Sequence, residues 1–295
     1  MKILFLTNGD APDYQQDTVL HGLKMLMGDD VVDYRRAWYM YADSFGDGKA
    51  RLSDLYGKGF TLFGLLPPDT NCDRTDIVEK LQNKFFDLVI YGGIQRNQAY
   101  FGGVTATYPP ERVVFIDGED YPQALNIYKY GTYFKRELLG DNWDFLPIHF
   151  GVPKEKVVTE IPEKKRFMAE YDPLINRTYI FEDENEYYQG YRDSYFAPTM
   201  KKSGWECMRH EEILSQACLP YFRVLDAAPK TVMHRLPRKE LLLVMQLIEY
   251  GVAGCDTAVD FYHRVIESVM AHVRENLTTE SVARYVLDTV KANQK

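Results

Sequence analysis

Cysteine is scarce in this chain. Four residues among 295, Cys72, Cys207, Cys218 and Cys255, form no CxxC pair and no zinc-like spacing. That excludes a disulfide-stapled scaffold and a zinc-finger framework. No cleavable apolar export segment is expected, because Met1 runs directly into the strand-like Lys2-Ile3-Leu4-Phe5-Leu6. Reduced thiols in a cytoplasmic protein are therefore expected. Long apolar runs are lacking too: the longest, Leu241 to Ile248, is too short and too interrupted to span a bilayer. Basic residues are outnumbered, with 35 Lys and Arg facing 43 Asp and Glu for a formal net charge of −8. Bulk binding to nucleic acid or to an anionic membrane is not expected, since counterion release needs clustered cations. No repeat or low-complexity tract is visible.

What remains is the profile of a globular chain, 45% hydrophobic and 26% charged, with 22 tyrosines for cores and pockets. Its first half alternates strands and helices. Ile3–Thr7, Val31–Tyr34, Phe60–Leu66, Asp87–Tyr91 and Arg112–Asp117 read as strands, while Asp17–Met27 and Asp73–Phe86 carry helical spacing. Continuous apolar strands alternating with helices predict a parallel sheet covered on both faces, with ligands beyond the carboxyl ends of its strands. Those ends carry Asn8-Gly9-Asp10, Gly92-Gly93 and Asp117-Gly118-Glu119-Asp120. A boundary is expected between Gly151 and Lys164. Beyond it, Arg166–Tyr171 and Leu219–Leu225 read as strands, and Asp183–Asp193 and Ser203–Ala217 as helices. From Arg238 onward the pattern is helical, with one break near Gly251–Gly254. The predicted fold class is α/β, in two halves of residues 1–155 and 156–295, the second small and closed by C-terminal helices.

The chemistry concentrates in Lys201-Lys202-Ser203-Gly204-Trp205-Glu206-Cys207-Met208-Arg209-His210-Glu211-Glu212-Ile213-Leu214. Ser203 followed by Glu206 has the spacing of a capping box, which predicts a helix start beside Lys201 and Lys202. Free N–H groups and two cations there suit a phosphate or pyrophosphate. Arg209 and Glu212, three apart on one helix face, can hold a diphosphate and ribose hydroxyls, or can form only an intrahelical ion pair.

This segment, continued by Cys218-Leu219-Pro220, resembles the donor-site signature of the GT-B glycosyltransferases. It is similar in particular to bacterial and viral members that read G-W-D-C-x-R-H-x-E-I-L-A. Asp17-Thr18-Val19-Leu20-His21-Gly22-Leu23, Asp29-Asp30-Val31-Val32-Asp33-Tyr34 and Tyr133-Phe134-Lys135-Arg136-Glu137-Leu138 extend the resemblance over most of the chain. It implies two Rossmann-like domains facing a cleft, and transfer of a sugar (hexose or pentose) from a nucleotide-sugar to a glycan or other small acceptor. Glu212 then binds ribose, Arg209 touches the diphosphate with Lys202 and His210 nearby, and Lys135 and Arg136 neutralise phosphate. Charge builds on the departing nucleoside diphosphate, and these cations make a metal unnecessary. No clear Asp-x-Asp metal site is present, and no cofactor beyond the nucleotide-sugar is implied. Two positions depart from the pattern. Gly204 stands where many retaining members carry a second glutamate, and Cys218 where a glycine is usual.

An inverting transfer needs a base for the acceptor hydroxyl. The candidates are Asp10, Asp13, Asp17 and His21 after the first strand, and Asp117, Glu119 and Asp120 after a later one, with Asp117 or Glu119 preferred. Asp17 reads equally as a first-turn acid, His21 as a packed ring, and Asp117–Asp120 as a solvated turn. Trp205 either stacks on a ligand or buries itself, and His210 either bonds a phosphate or packs. Two further functions fit the same residues: a nucleotide-sugar epimerase or hydrolase using the acidic cluster, and a non-catalytic nucleotide or sugar binder.

Overall fold

The structure, a computed structural model, describes residues 1–9, 11–45, 51, 61–69, 71–140, 144–175, 178, 180–249 and 254–293. Asp10 lies outside them. Six short strands build the first sheet: β1 (Ile3–Leu6), β2 (Val31–Tyr34), β3 (Leu88–Tyr91), β4 (Val113–Asp117), β5 (Thr132–Lys135) and β6 (Leu146–Pro147). All pair in parallel, in the order β2-β1-β3-β4-β5-β6. β1, β3 and β4 are buried along their whole length, as their unbroken apolar runs require of a sheet covered on both faces. The winding reverses between β1 and β3, and the chain opens a crevice there at the carboxyl ends.

Helix α1 (Tyr14–Met27) follows β1 and is capped by Asp13, whose side chain accepts from the Gln15 and Gln16 amides. Helices α2 (Ile77–Gln82) and α3 (Phe101–Thr107) are short. A second parallel sheet, ordered β7-β8-β9, contains β7 (Arg166–Met168), β8 (Ser194–Thr199) and β9 (Leu219–Phe222), with α4 (Glu184–Arg192) before β8 and α5 (Met208–Ser215) before β9. Pro198 sits in the central strand of this sheet, where the lost N–H ordinarily breaks a ladder. It is tolerated because β7 pairs no further than Phe196, so β8 has a neighbour only on its β9 side at that level.

Three helices follow: α6 (Arg238–Glu249), α7 (Gly254–Asn276) and α8 (Thr279–Asn293). None of the described helices is long and apolar enough to cross a membrane. α7 packs against α5, and α8 returns to lie along α1 of the first sheet. The two passages between sheets are bonded to each other: Val152 N–H donates to Leu277 O at 3.0 Å and Thr279 N–H to Val152 O at 2.9 Å. One apolar core accordingly runs from β1 and α1 through α8 to β8 and β9.

Three expectations are corrected here. The stretch read as a strand ending at Leu66 is a turn over Thr61–Gly64 with a single bridge, Leu66 to Tyr41; Phe60 lies outside the described residues. The helix read from Ser203 begins at Met208, because Glu206 turns inward to Phe150 N–H instead of back to Ser203. The C-terminal helices break a second time at Leu277-Thr278, where bonding to Val152 replaces helical bonding.

Candidate functional site

A cavity of about 660 Å³ lies between the carboxyl ends of the two sheets. One wall comes from the first sheet: Pro12 to Gln15 after β1, Arg96 after β3, Gly118 and Asp120 after β4, and Arg136 after β5. The other comes from Phe181, Tyr187 of α4, the loop residues Lys202–Gly204, Glu206 and Cys207, and Met208, Arg209 and Glu212 of α5. Phe150, on the outgoing passage, closes the base.

Arg136 ties the walls together. Its guanidinium stacks 4.8 Å over the Phe150 ring and donates to Gly118 O from Nε (3.1 Å) and Nη2 (2.8 Å), to Asp120 from Nη2, and to Glu137 Oε1 (3.1 Å) and Glu206 O (2.7 Å) from Nη1. All five of its N–H donors are thereby engaged. Arg136 supplies positive field to the cavity, and phosphate hydrogen bonds fall to other groups. Glu137 Oε1 also receives Glu206 N–H at 3.0 Å, holding the loop before α5 in place. Gly204 passes so close to that carboxylate that a Cβ would sit 2.5 Å from Glu137 Oε1. The glycine that interrupts the retaining-type pattern is needed for packing.

Glu212, 7% exposed, reaches the cavity from the second turn of α5. Tyr187 Oη donates to its Oε2 at 2.7 Å and the Thr61 hydroxyl to its Oε1. Burial raises the carboxyl above its usual range, against these hydrogen bonds and the nearby Arg209 guanidinium. Arg209 and Cys207 line the cavity at the start of α5, and Lys202 does so from the loop, its Nζ donating to Pro173 O at 2.6 Å.

His210 lies elsewhere. It is fully buried and outside the lining, with Nε2 3.1 Å from Trp205 O and Nδ1 3.0 Å from Thr199 Oγ1. A carbonyl can only accept, so Nε2 carries the proton and Nδ1 accepts from the threonine. Burial pulls the ring down to about 3, leaving it neutral. The alternative in which His210 bonds a phosphate is corrected: it packs on Phe222 below the site. Trp205 is half-buried against the core, with Lys201 Nζ 4.9 Å above its ring.

The acids and bases expected at the first sheet separate in the same way. Asp117, the preferred base, is fully buried and accepts from Lys135 Nζ (2.8 Å), Tyr133 Oη (2.7 Å) and Gln95 Nε2 (3.0 Å). Lys135 is consumed in the same pair and also lies outside the lining; burial lowers its pKa, against the pull of Asp117. Glu119 pairs with Arg96 beside the cavity without lining it. Asp17 is inside α1, accepting from Tyr39 Oη at 2.8 Å; burial, then Asp13, raises it well above the carboxylate range. His21 is buried against Thr279 Oγ1 at 2.9 Å and pulled down to about 4 by burial. The expectation that these groups face the crevice fails because Asp117 and Lys135 turn to each other in the sheet, Asp17 and His21 turn into helix contacts, and Glu119 is taken up by Arg96. Among the candidate bases that are described, Asp13 and Asp120 line the cavity.

Asp13 is 8% exposed. Its Oδ1 receives the Gln15 (3.0 Å) and Gln16 (3.1 Å) amides, and Oδ2 faces Arg96 Nη1 at 3.3 Å. Burial raises its pKa, opposed chiefly by Arg96. Arg96, Gln15, Tyr14 and the aromatic residues of the far wall were not singled out from the sequence. Arg96 alone had a local signal, standing three residues after the Gly92-Gly93 strand end.

No protein-family model matches the sequence, and no curated protein matches it. Two solved structures are similar over nearly the full length of both chains. A glycosyltransferase from Rickettsia africae ESF-5 aligns with a TM-score of 0.50 at 10% identity, covering 100% of this chain and 99% of that one. The chain shares the fold of that protein. An alpha-glucosyltransferase in complex with UDP and a 13-mer DNA containing a central A:G mismatch aligns with a TM-score of 0.48 at 12% identity, covering 99% of this chain and 100% of that one. At such identities the likeness bears on architecture, and chemistry has to be argued from the cavity.

Proposed function

We propose that this chain is a metal-independent glycosyltransferase of the GT-B type, moving a hexose or pentose from a nucleotide-sugar to a glycan or other small acceptor. The observation that carries the proposal is the cavity between the two sheets, whose lining includes Lys202 from the loop before α5 and Arg209 and Glu212 from α5 itself. In this reading the sheets belong to two Rossmann-like domains, residues 1–155 on the acceptor side and 156–295 on the donor side, with α8 crossing back. Glu212 binds the ribose: the Thr61 and Tyr187 hydroxyls on its two oxygens are the chemistry a diol offers. Arg209, Lys202 and the N-terminal amides of α5 take the diphosphate, and Arg136 adds its field. As the glycosidic bond breaks, these cations stabilise the charge that a divalent ion stabilises in other transferases. Asp13 stands as the base, because its carboxylate is in the cavity and is not consumed by a buried lysine as Asp117 is.

The test is thermal stabilisation by UDP, GDP, dTDP, CMP and their sugars, with and without EDTA, on wild type and Glu212→Ala. One nucleotide should stabilise the wild type irrespective of EDTA and lose its effect in the variant. Stabilisation by none of them would sink the donor-site reading. Sugar transfer without accumulation of free sugar separates a transferase from a hydrolase.

A further inference from the structure

Glu212, on the second wall of the cavity, is held by a residue of the first half. Thr61 is fully buried in the turn Thr61–Gly64 and stands outside the cavity lining. Its φ of +80° is in the left-handed region, where a β-branched residue is strained and persists only if its surroundings hold it. They hold it from both sides. Toward the first sheet, Phe63 stacks on Tyr14 with ring centroids 6.0 Å apart, and Gly64 N–H donates to Tyr39 O at 2.9 Å. Toward the second, Thr61 N–H donates to Glu184 Oε1 at 2.9 Å, Tyr188 Oη lies 2.6 Å from Thr61 Oγ1, and the Thr61 hydroxyl donates to Glu212 Oε1. A hydroxyl has one proton and this one goes to the carboxylate, so Tyr188 donates to the threonine. The hydrogen bonds therefore run one way, from Tyr188 through Thr61 to Glu212.

The two hydroxyls on Glu212 differ in place. Tyr187, on Oε2, lines the cavity, whereas Thr61, on Oε1, does not. A ligand entering the cavity meets the Tyr187 side of the carboxylate and leaves the Thr61 side as it is. Burial raises the Glu212 carboxyl, and the Thr61 hydrogen bond is the foremost influence against it. We propose that Thr61 is the positioning residue of Glu212, fixing its carboxylate to receive both ribose hydroxyls and so to select a ribonucleotide over its 2′-deoxy form. The inference rests on the donor-site reading above. A carboxylate has about four acceptor positions, so Glu212 keeps capacity for a diol with Thr61 in place. A carboxylate already held in one orientation loses little side-chain freedom when the diol binds. Sites built to hydrogen-bond a substrate hydroxyl reject analogues that lack it far more strongly than apolar pockets reject a missing methylene.

The experiment is calorimetric titration of the full chain with UDP, GDP and CMP, with the 2′-deoxy form of each, and with dTDP. Wild type should bind one ribonucleotide about tenfold more tightly than its 2′-deoxy form. Thr61→Gly removes the hydroxyl and takes up the left-handed turn without strain. In that variant the preference should fall to about twofold or less, with affinity for the 2′-deoxy form unchanged, which also shows that the variant folds. Thr61→Ser keeps the hydroxyl and should keep the preference. Glu212→Ala should lack the preference, and adding Thr61→Gly to it should change nothing further, as two residues acting through one contact require. A preference that survives Thr61→Gly or is lost in Thr61→Ser overturns the inference while the nucleotide site stands. So does a wild type that binds a 2′-deoxy form or dTDP at least as well as any ribonucleotide. Loss of affinity for both forms in Thr61→Gly overturns it too, since Thr61 would then support the whole site. Failure of every nucleotide to bind wild type removes the donor site and this inference with it.

Discussion

Asp13 and Asp17 are one helical turn apart, and their fates diverge through that geometry. The first caps α1 at the cavity, and the second points back into the fold against Tyr39. In the proposed transfer, Asp13→Asn should abolish sugar transfer while leaving thermal stabilisation by the nucleotide intact; loss of both would move the defect to folding. Because burial raises Asp13, the kcat/KM profile should fall on the acid side at a pH above the usual carboxylate range, as the base becomes protonated. A limb near pH 4 would point to a solvated acid instead. Gly204→Ala should destabilise the fold by roughly 1–3 kcal/mol, read as a lowered Tm, since its Cβ meets a carboxylate already fixed by Arg136 and Glu206 N–H. At this scale the sequence was legible in part. The spacing of Arg209 and Glu212 puts them on one helix face, because neighbours on a helix face stay neighbours in any fold, and both line the cavity. Asp117, Lys135 and His210 were misjudged, since their partners arrive from other strands and loops. Gln15 gave no local signal, because its place in the cavity wall depends on His149, 134 residues away.

Strands announce themselves by apolar runs, and β1, β3 and β4 stand where those runs predict. β8 was missed because Pro198 argues against a central strand, and its exemption depends on where β7 stops. The start of α5 was misplaced for a comparable reason: Ser203 and Glu206 have capping-box spacing, but the glutamate is drawn to Phe150 on the passage between the sheets. Helix α8 gave no sign of its destination, as its period marks an apolar face without naming what covers it. The structure shows α1 covering it, with Gly22 directly under the Thr279 carbonyl. A Cβ at Gly22 would overlap that carbonyl oxygen. Gly22→Ala, although it favours helix locally, should therefore lower the Tm and increase hydrogen exchange in α8 before α6. An unchanged or raised Tm would mean that α8 is not seated against α1 in solution.

The molecule as a whole buries titratable groups of both kinds, and they set opposite pH limits on stability. His21 and His149 are held down to about 4, and His210 and His234 to about 3, in each case first by burial. The unfolded chain binds their protons first, so their contribution is complete above about 6.5 and is lost as pH falls toward 4. Glu206 is raised to about 8, and Glu211 and Asp17 are also raised, again chiefly by burial. Here the folded chain binds protons more tightly, so stability is present below about 4.5 and is lost as pH rises toward 8. Thermal unfolding across pH should then show a maximum between about 4.5 and 6.5. A maximum at pH 8 or above would contradict the burial of the carboxyls.

The two passages at Val152 and Thr278 have a mechanical consequence. Being bonded to each other, they act as one pin, and the sheets can swing about that pin without breaking a strand pair in either. Sliding of one sheet past the other would shear the pin itself. A swing that widened the cavity would have to part Arg136 Nη1 from Glu206 O across it, and a staple joining Val152 to Thr278 should then leave turnover intact where a staple between the two walls stops it.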